Sequence, residues 1–405
     1  MPFPTTTLVF RRTDGSLPRT IEQSSEALPV PNELDSHEVL IKINAVSLNF
    51  RDVAMLHGRY PLEVEQEGIP CSDCAAEVIA VGSAVQDFTV GDRVAPIFDV
   101  SNITGHEDEP SSALGGDTAG VLREYAVFQE KLLVHLPKHL TWEEASTLSC
   151  AGVTAWSALD TPTSARKDAA ALLQGESPVP FPHSLRTGGV SLFALLLCIA
   201  CGIKPIITSS SDEKLEAIKK LGPGIHGINY KSTTNQKAEI LEATDGKGVD
   251  FVVNNTGPGS IPEDIGFLRQ RGGTVSLIGF LDGTGGDWEP SAIMALMGKS
   301  AKLKGIATGS KLDYQPVNFI PMPTGTFLKG GSVPEKPFAR ISIDHIAIHM
   351  DNTPETHHKC TESIEKALKP HMADKGYDYG YHMDKTKKNL WRVRFRERRR
   401  DSGPS

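Results

Sequence analysis

Gly175 and the run Thr187-Gly188-Gly189-Val190-Ser191 hold the residues of this chain with the clearest claim to chemistry. Ala169 to Gln174 reads as a buried strand running into Gly175, and Leu192 to Cys201 reads as a helix. With the eleven residues Glu176 to Arg186 removed, the junction becomes Gly-Thr-Gly-Gly-Val-Ser between strand and helix. One glycine of that spacing makes a tight turn, and another lets backbone approach a pyrophosphate. The helix start then offers unpaired N–H groups and a partial positive charge. Ser191 stands where a third glycine often sits. Gly175, Gly188, Gly189 and Val190 are therefore candidate phosphate contacts of a dinucleotide site. A glycine pattern alone is weak evidence, so its flanks must carry the argument.

Those flanks follow a βαβ rhythm, which predicts a parallel sheet. Pro205 to Thr208 is the second strand, and it ends in Ser209-Ser210-Ser211. Ser211 suits the N-cap of a helix opened by Asp212-Glu213-Lys214. A site that prefers NAD places Asp or Glu at this strand end to accept from the ribose 2′-hydroxyl. Here Ser209, Ser210 and Lys214 suit a 2′-phosphate, hence NADP (NADPH). The alternative has Asp212 bending back to do the acidic task. Val249 to Gly257 and Gly272 to Phe280 are apolar strands emptying into polar turns, and Leu303 to Thr308 is a last strand. The carboxyl ends of such strands border the ligand crevice.

The first 150 residues are patterned differently. Short alternating runs separated by turn residues predict an all-β domain: Val39–Val46, Glu77–Gly82, Phe88–Val94 with a Gly-Asp turn before Arg93–Pro96, Gly120–Val127 and Leu132–Pro137. Thr141 then caps a helix, with Glu144 completing a capping box. Residues 99–119 form a polar loop, expected at the rim and mobile. The whole chain has 405 residues, 39 % hydrophobic and 23 % charged, room for two or three soluble globular domains. A formal net charge of −8 argues against non-specific nucleic-acid binding. No run reaches the ~18 apolar residues of a membrane span. With six cysteines, no disulfide scaffold and no visible secretory signal, the expectation is a cytoplasmic protein.

Three stretches carry a resemblance: Ser47-Leu48-Asn49-Phe50-Arg51-Asp52, Val85 to Val94, and Cys150-Ala151-Gly152-Val153-Thr154-Ala155-Trp156. They resemble the medium-chain dehydrogenase/reductase superfamily, in its quinone-oxidoreductase-like and zinc-type alcohol dehydrogenase-like branch, over about residues 5–175 and 187–314. The resemblance implies an α/β protein with a GroES-like β domain, then a Rossmann domain with a doubly wound parallel sheet, and an active site in the cleft between them. It also places Asn49 and Arg51 near the nicotinamide and the substrate as catalytic candidates. The competing reading of Asn49 to Asp52 is an Asx-turn that only holds a loop. Cofactor contacts are implied at Tyr230, Thr256 and Gly279, and Thr154 and Asn254 join them as candidates. Tyr60 is either a proton source or a half-buried structural tyrosine.

Zinc-dependent members use a Cys ligand and a Gly-His-Glu motif, positions held here by Asn49 and by Cys71-Ser72-Asp73-Cys74. Two thiols fall short of the three or four ligands of a tetrahedral site. Gly105-His106-Glu107 lies in an acidic loop some thirty residues downstream. No zinc is expected.

Two departures complicate the resemblance. Glu176 to Arg186 contains three prolines, which lack the N–H a phosphate cradle uses; the insert either bulges into solvent or blocks the pyrophosphate. After Tyr314 the pattern changes. Residues 316–393, with strand-like Arg340–Ile346 and Asn389–Val393 and a helical Pro354–Met372, resemble the second half of a tautomerase-superfamily protein of the cis-3-chloroacrylic acid dehalogenase type. That family's catalytic N-terminal proline and arginine pair are missing, so no tautomerase activity is expected. Six arginines among Arg392 to Arg400 read as a solvated tail.

The expected organisation is thus 1–150 GroES-like, 151–314 Rossmann with the insert 176–186, 315–393 a tautomerase-like α+β fragment, and 394–405 a basic disordered tail. The expected function is a zinc-independent, NADPH-dependent oxidoreductase acting on a small-molecule substrate: an enone, quinone or aldehyde. A catalytically impaired fusion and a zinc alcohol dehydrogenase are the alternatives. No nucleic-acid or membrane partner is expected, and a homodimer through the Rossmann domain is.

Overall fold

The computed structural model describes residues 5–29, 31–175, 189–319, 347–349, 377–383 and 391–397. The described residues fall into two compact units, one from Met1–Ser149 with Asp344–Ser405, the other from the chain between Cys150 and Ile343.

In the first unit, strands β1 (Thr6–Arg12) and β2 (Ile21–Ala27) form an antiparallel pair. A second sheet holds β3 (Glu38–Ser47), β4 (Asp73–Val81), β5 (Arg93–Pro96) and β7 (Leu133–His135) side by side, while β6 (Tyr125–Gln129) also pairs β3. Alternating apolar residues close this sheet over a core that includes Val9, Ile41, Ile43, Val78, Val94 and Leu122. Two short helices accompany it, α1 (Phe50–Leu56) and α2 (Trp142–Ala145). The capping box is formed as read: the Glu144 amide donates to Thr141 Oγ1 at 3.2 Å, and the Thr141 amide donates to Glu144 Oε2 at 2.8 Å.

Two strand expectations shift. β4 begins four residues before Glu77, because Asp73, Cys74, Ala75 and Ala76 are all buried and continue the ladder with β3. Gly120 to Leu122 is not a ladder strand. Its amides donate instead to the carbonyls of Ile69, Cys71 and Pro70 at 2.8–3.1 Å. A Cβ at Gly120 would lie 2.3 Å from the Cys71 oxygen, so only glycine permits that approach. The polar loop is also more tightly held than its composition suggested. Asp99 accepts from the amides of Ser101 and Ser112 and from the hydroxyls of Ser101 and Ser111.

The second unit is a six-stranded parallel sheet. Its strands are β8 (Ala170–Leu173), β9 (Lys204–Ser209), β10 (His226–Asn229), β11 (Phe251–Asn254), β12 (Thr274–Leu277) and β13 (Lys302–Gly305), in the order β10-β9-β8-β11-β12-β13. The helices are α3 (Val153–Ala158), α4 (Gly189–Cys201), α5 (Asp212–Lys219), α6 (Gln236–Ala243), α7 (Ile261–Phe267), α8 (Met294–Lys299) and α9 (Lys311–Phe319). Helix α5 is capped by Ser211, as its position before Asp212 predicts. The strand order reverses between β8 and β11, which opens the crevice for a ligand at their carboxyl ends.

Three short strands close the chain: β14 (Ala347–His349), β15 (Tyr377–Met383) and β16 (Trp391–Glu397). β14 runs antiparallel along Ala45–Ser47 of β3; β15 and β16 pair with each other, and Arg392 lies opposite Glu22 of β2. The arginine-rich run is therefore a strand as far as Glu397 rather than a disordered tail, because Trp391, Val393 and Phe395 alternate with the arginines at the period of a strand. The insert 176–186, Gly188, Arg340–Ile346 and the stretch Pro354–Met372, expected as a helix, lie outside the described residues.

At the opposite, amino-terminal end of the parallel sheet, Asp250 receives Arg166 Nε at 2.7 Å, Arg269 Nη1 at 2.8 Å and the Ala170 amide at 3.0 Å. Burial acts to raise this carboxyl, but those bonds hold it below its ordinary value. Replacing Asp250 with Ala strands two guanidinium groups, Arg166 being already well exposed to solvent, and is expected to lower stability by about 2 kcal/mol in urea unfolding.

Candidate functional site

The crevice of the second unit is built from strand ends. Gly175 leaves β8 with its amide 3.3 Å from Thr208 Oγ1, and Gly189 is buried at the start of α4, with Val190 half-buried beside it. The first amides of an α-helix have no intrahelical partner, so this helix start presents donors. Ser191 Oγ donates to the Gln174 carbonyl at 2.6 Å and ties α4 to the end of β8. Asn255 Nδ2 reaches the same Gln174 carbonyl at 3.1 Å and Ser191 Oγ at 2.5 Å, which adds the loop after β11 to the junction. Gly279 lies against that loop. A Cβ there would stand 2.5 Å from the Asn255 oxygen, so the close approach requires glycine.

Along the neighbouring strands, Ser209 is buried, its Oγ accepting the Ser211 amide at 3.3 Å, while Ser210 and Lys214 are half-buried at the strand end and first helical turn. Tyr230 follows β10 and joins it to β9 through its amide, 3.1 Å from the Ser209 carbonyl. Thr154 is buried within α3. Gly175, Gly189, Val190, Ser209, Ser210, Lys214, Tyr230, Asn254, Thr256 and Gly279 thus all lie at the carboxyl ends of the strands or in the turns and helix starts that follow them. An amide-lined helix start, glycines at close approaches, and hydroxyls with a lysine after β9 fit a dinucleotide.

Beneath these turns lies a polar cluster that no motif announced. Asp264 of α7 is fully buried, and it accepts from Gln174 Nε2 at 2.6 Å, Asn254 Nδ2 at 2.7 Å and Ser260 Oγ at 3.0 Å. Burial pushes its carboxyl up from 3.8 to about 7, against those hydrogen bonds. Its only trace in the sequence is its spacing: an acid between Ile261 and Ile265, on the inward face of a helix.

In the first unit, Asn49 precedes α1. Its amide donates to Asp52 Oδ2 at 2.8 Å and its Nδ2 donates to Asp73 Oδ2 at 2.8 Å. The turn reading of this motif is therefore formed, and the side chain is also committed to a carboxylate in β4. Burial raises the Asp52 carboxyl, opposed by Arg51, the Asn49 amide, Arg12 and the Cys71 amide. Arg51 is 7 % exposed; it donates through Nη1 to the Leu114 carbonyl at 2.7 Å and lies 4.6 Å from the Phe98 ring centre and 5.4 Å from that of Tyr60. Its Nε stands 3.5 Å from the Tyr60 hydroxyl.

Zinc does not fit these residues. Asn49 occupies the ligand position and offers a neutral amide already bound to Asp73. Cys71 and Cys74 are both buried, and two thiols fall short of the three or four protein ligands of a tetrahedral zinc site. Among the described residues, no group of three His, Cys, Asp or Glu side chains comes together.

The comparisons with known proteins agree with this architecture. Residues 35–138 match the alcohol dehydrogenase GroES-like domain, and residues 189–320 match the zinc-binding dehydrogenase family. Residues 312–395 match the "Putative oxalocrotonate tautomerase enzyme" family. A zinc-type alcohol dehydrogenase-like protein of Schizosaccharomyces pombe is 38 % identical over 291 residues, 70 % of this chain and 80 % of that protein. A quinone oxidoreductase of Pseudomonas aeruginosa is 32 % identical over 246 residues, 61 % of this chain and 66 % of its own length. The crystal structure of a "putative Alcohol dehydrogenase" from Sinorhizobium meliloti superposes with a TM-score of 0.66 at 30 % identity, covering 78 % of this chain and 88 % of that one. The chain belongs to the medium-chain dehydrogenase/reductase superfamily, in its zinc-type alcohol dehydrogenase-like and quinone oxidoreductase-like branch, and is an oxidoreductase with a tautomerase-family segment fused behind it.

Asp264 makes stability depend on pH. Its folded value lies above its unfolded one, so its contribution is complete below about pH 4 and is lost as pH rises towards 7, by roughly 4 kcal/mol at most. Asp264→Asn removes that dependence. In thermal unfolding from pH 5 to pH 8, the variant is expected to gain steadily on the parent chain.

Proposed function

We propose that this protein is an NADPH-dependent reductase of a conjugated or simple carbonyl compound: an enone, quinone or aldehyde. The observation that carries the cofactor choice is the end of β9. A helix-capping Ser-Ser-Ser followed by Lys214 stands where an acid would select NAD. Asp212, the acid nearest this end, is engaged by Asn229, whose Nδ2 donates to Asp212 Oδ1 at 2.9 Å. That bond weakens the case for an acid reaching the ribose.

The nicotinamide, when bound, supplies the hydride. The chain's own residues do the rest. Gly189, Val190 and the amides that follow hold the diphosphate at the start of α4. Ser210 and Lys214 take the 2′-phosphate, and Thr256 and Gly279 border the crevice floor. In the first unit, Arg51 is fixed by Leu114, Phe98 and Tyr60, so it offers an oriented positive charge to a carbonyl oxygen. Tyr60 is the candidate proton source, its hydroxyl held by Arg51 Nε.

Fluorescence titration with NADPH tests the reading on the full chain, on a variant lacking Glu176–Arg186, and on Lys214→Ala. Binding by the first two, with a roughly tenfold loss for Lys214→Ala and no change towards NADH, is the expected result. Binding by the deletion variant alone would mean that the insert disables the site and that this chain is a damaged scaffold.

We also propose a homodimer through the open edge of the parallel sheet at β13. Met294 and Met297 of the adjacent α8 are 56 % and 73 % exposed. Sedimentation should show a dimer for the parent chain and a monomer for Met297→Glu; a monomeric parent chain rejects it.

A further inference from the structure

The hydrogen bonds around Asp264 have a direction, and that direction reaches the crevice. Above pH 7, where Asp264 is ionised, its carboxylate only accepts, so its three neighbours must all point protons at it. Gln174 therefore turns Nε2 inward to Asp264 Oδ1 at 2.6 Å, which leaves Oε1 facing the other way. That oxygen lies 3.0 Å from Thr256 Oγ1. Ser260 spends its single proton on Asp264 Oδ2 and can only accept from Thr256, 2.9 Å away. Asn254 likewise turns Nδ2 to Asp264 at 2.7 Å, and its Oδ1 takes the Gly257 amide at 2.8 Å. Thr256 Oγ1 stands 3.3 Å from that oxygen too. Every inward partner of the Thr256 hydroxyl is thus an acceptor. The hydroxyl proton must point in, and its lone pairs are left for the half-exposed side, where β8 and β11 end.

We propose that Asp264 is a positioning residue for cofactor recognition: through Gln174 and Ser260 it sets the polarity of Thr256, so that the crevice floor offers an acceptor oxygen to an N–H or O–H donor of the bound nicotinamide dinucleotide. The inference rests on the nucleotide reading above and gives one of its polar contacts a defined sense. It also explains a costly feature. A buried carboxylate pushed up to about 7 is paid for in stability, and an asparagine in its place would avoid that burden. Asparagine, however, brings its own donor. Its amide can rotate to give a proton to Gln174, whose own amide then turns over, and Thr256 loses the acceptor that held its proton inward.

A double-mutant cycle distinguishes this role from a structural one. NADPH dissociation constants are measured at pH 8 for the full chain, Asp264→Asn, Thr256→Val and the double variant, with melting temperatures alongside. Asp264→Asn is expected to melt at or above the parent's temperature at pH 8, since it removes a buried charge, yet to bind NADPH about tenfold more weakly. Thr256→Val should lose a similar factor. If Asp264 acts through Thr256, the double variant loses about tenfold in all, whereas independent losses would multiply to about a hundredfold. Unchanged binding by Asp264→Asn, or a multiplied loss in the double variant, overturns the inference while leaving the nucleotide site intact. No binding by the parent chain overturns the nucleotide reading and the inference with it. If Asp264→Asn does not fold, Gln174→Met decides in its place: it cuts the same link but leaves the carboxylate two donors, and unchanged NADPH affinity there rejects the proposal.

Discussion

A carboxylate withdrawn from water must be met by donors, and in this protein that demand joins elements far apart in the chain. Asp264 draws side chains from the end of β8, the end of β11 and the turn before α7. These are the places where a parallel sheet exposes unpaired backbone and where a ligand binds. Satisfying one buried acid therefore also fixes the polar turns above it. Ser191 and Asn255 repeat the principle one layer up: both meet at the Gln174 carbonyl and lock α4 against the strands.

The first unit solves the same problem with cations. Arg12 is 2 % exposed and gives protons to the carbonyls of Gly115, Glu65 and Gly116, while Arg51 holds the Leu114 carbonyl. The loop before β6 is thereby gripped by guanidinium groups rather than by a sheet ladder. Asp52 lies among these charges and accepts from the backbone amides of Asn49 and Cys71, while Asp73 accepts from the side chains of Asn49 and Ser72. Asn49 shows how a metal-ligand position can become a structural joint: an amide that donates to a carboxylate needs no ion to organise it.

Much of the fold was legible because it follows from period and punctuation. Apolar runs of β8, β9, β11 and β12, and the capping residues Thr141 and Ser211, lie where short-range rules put them. Misplaced boundaries have a common cause. Gly120 to Leu122 looks like a strand, but its amides are taken by Ile69, Pro70 and Cys71, residues some fifty positions earlier that local pattern cannot reveal. β4 starts early because small buried residues such as Ala75 and Ala76 show no alternation. β16 runs four residues past the strand-like Asn389–Val393, because Arg392, Arg394 and Arg396 mask the continuing alternation of Trp391, Val393 and Phe395.

The chain's order of residues was enough to determine the parallel sheet, the seryl and lysyl end of β9 and the change of family after Tyr314. Each depends on neighbours within a few residues, where propensity, glycine geometry and capping act. The tertiary structure alone decided that Gln174, Asn254, Ser260 and Asp264 form one hydrogen-bonded group, that Asn49 is bound to Asp73, and that Arg51 is stacked between Phe98 and Tyr60. The reason is physical: desolvation and hydrogen-bond direction depend on what surrounds a side chain in space, and that surrounding is assembled from segments separated by up to ninety positions.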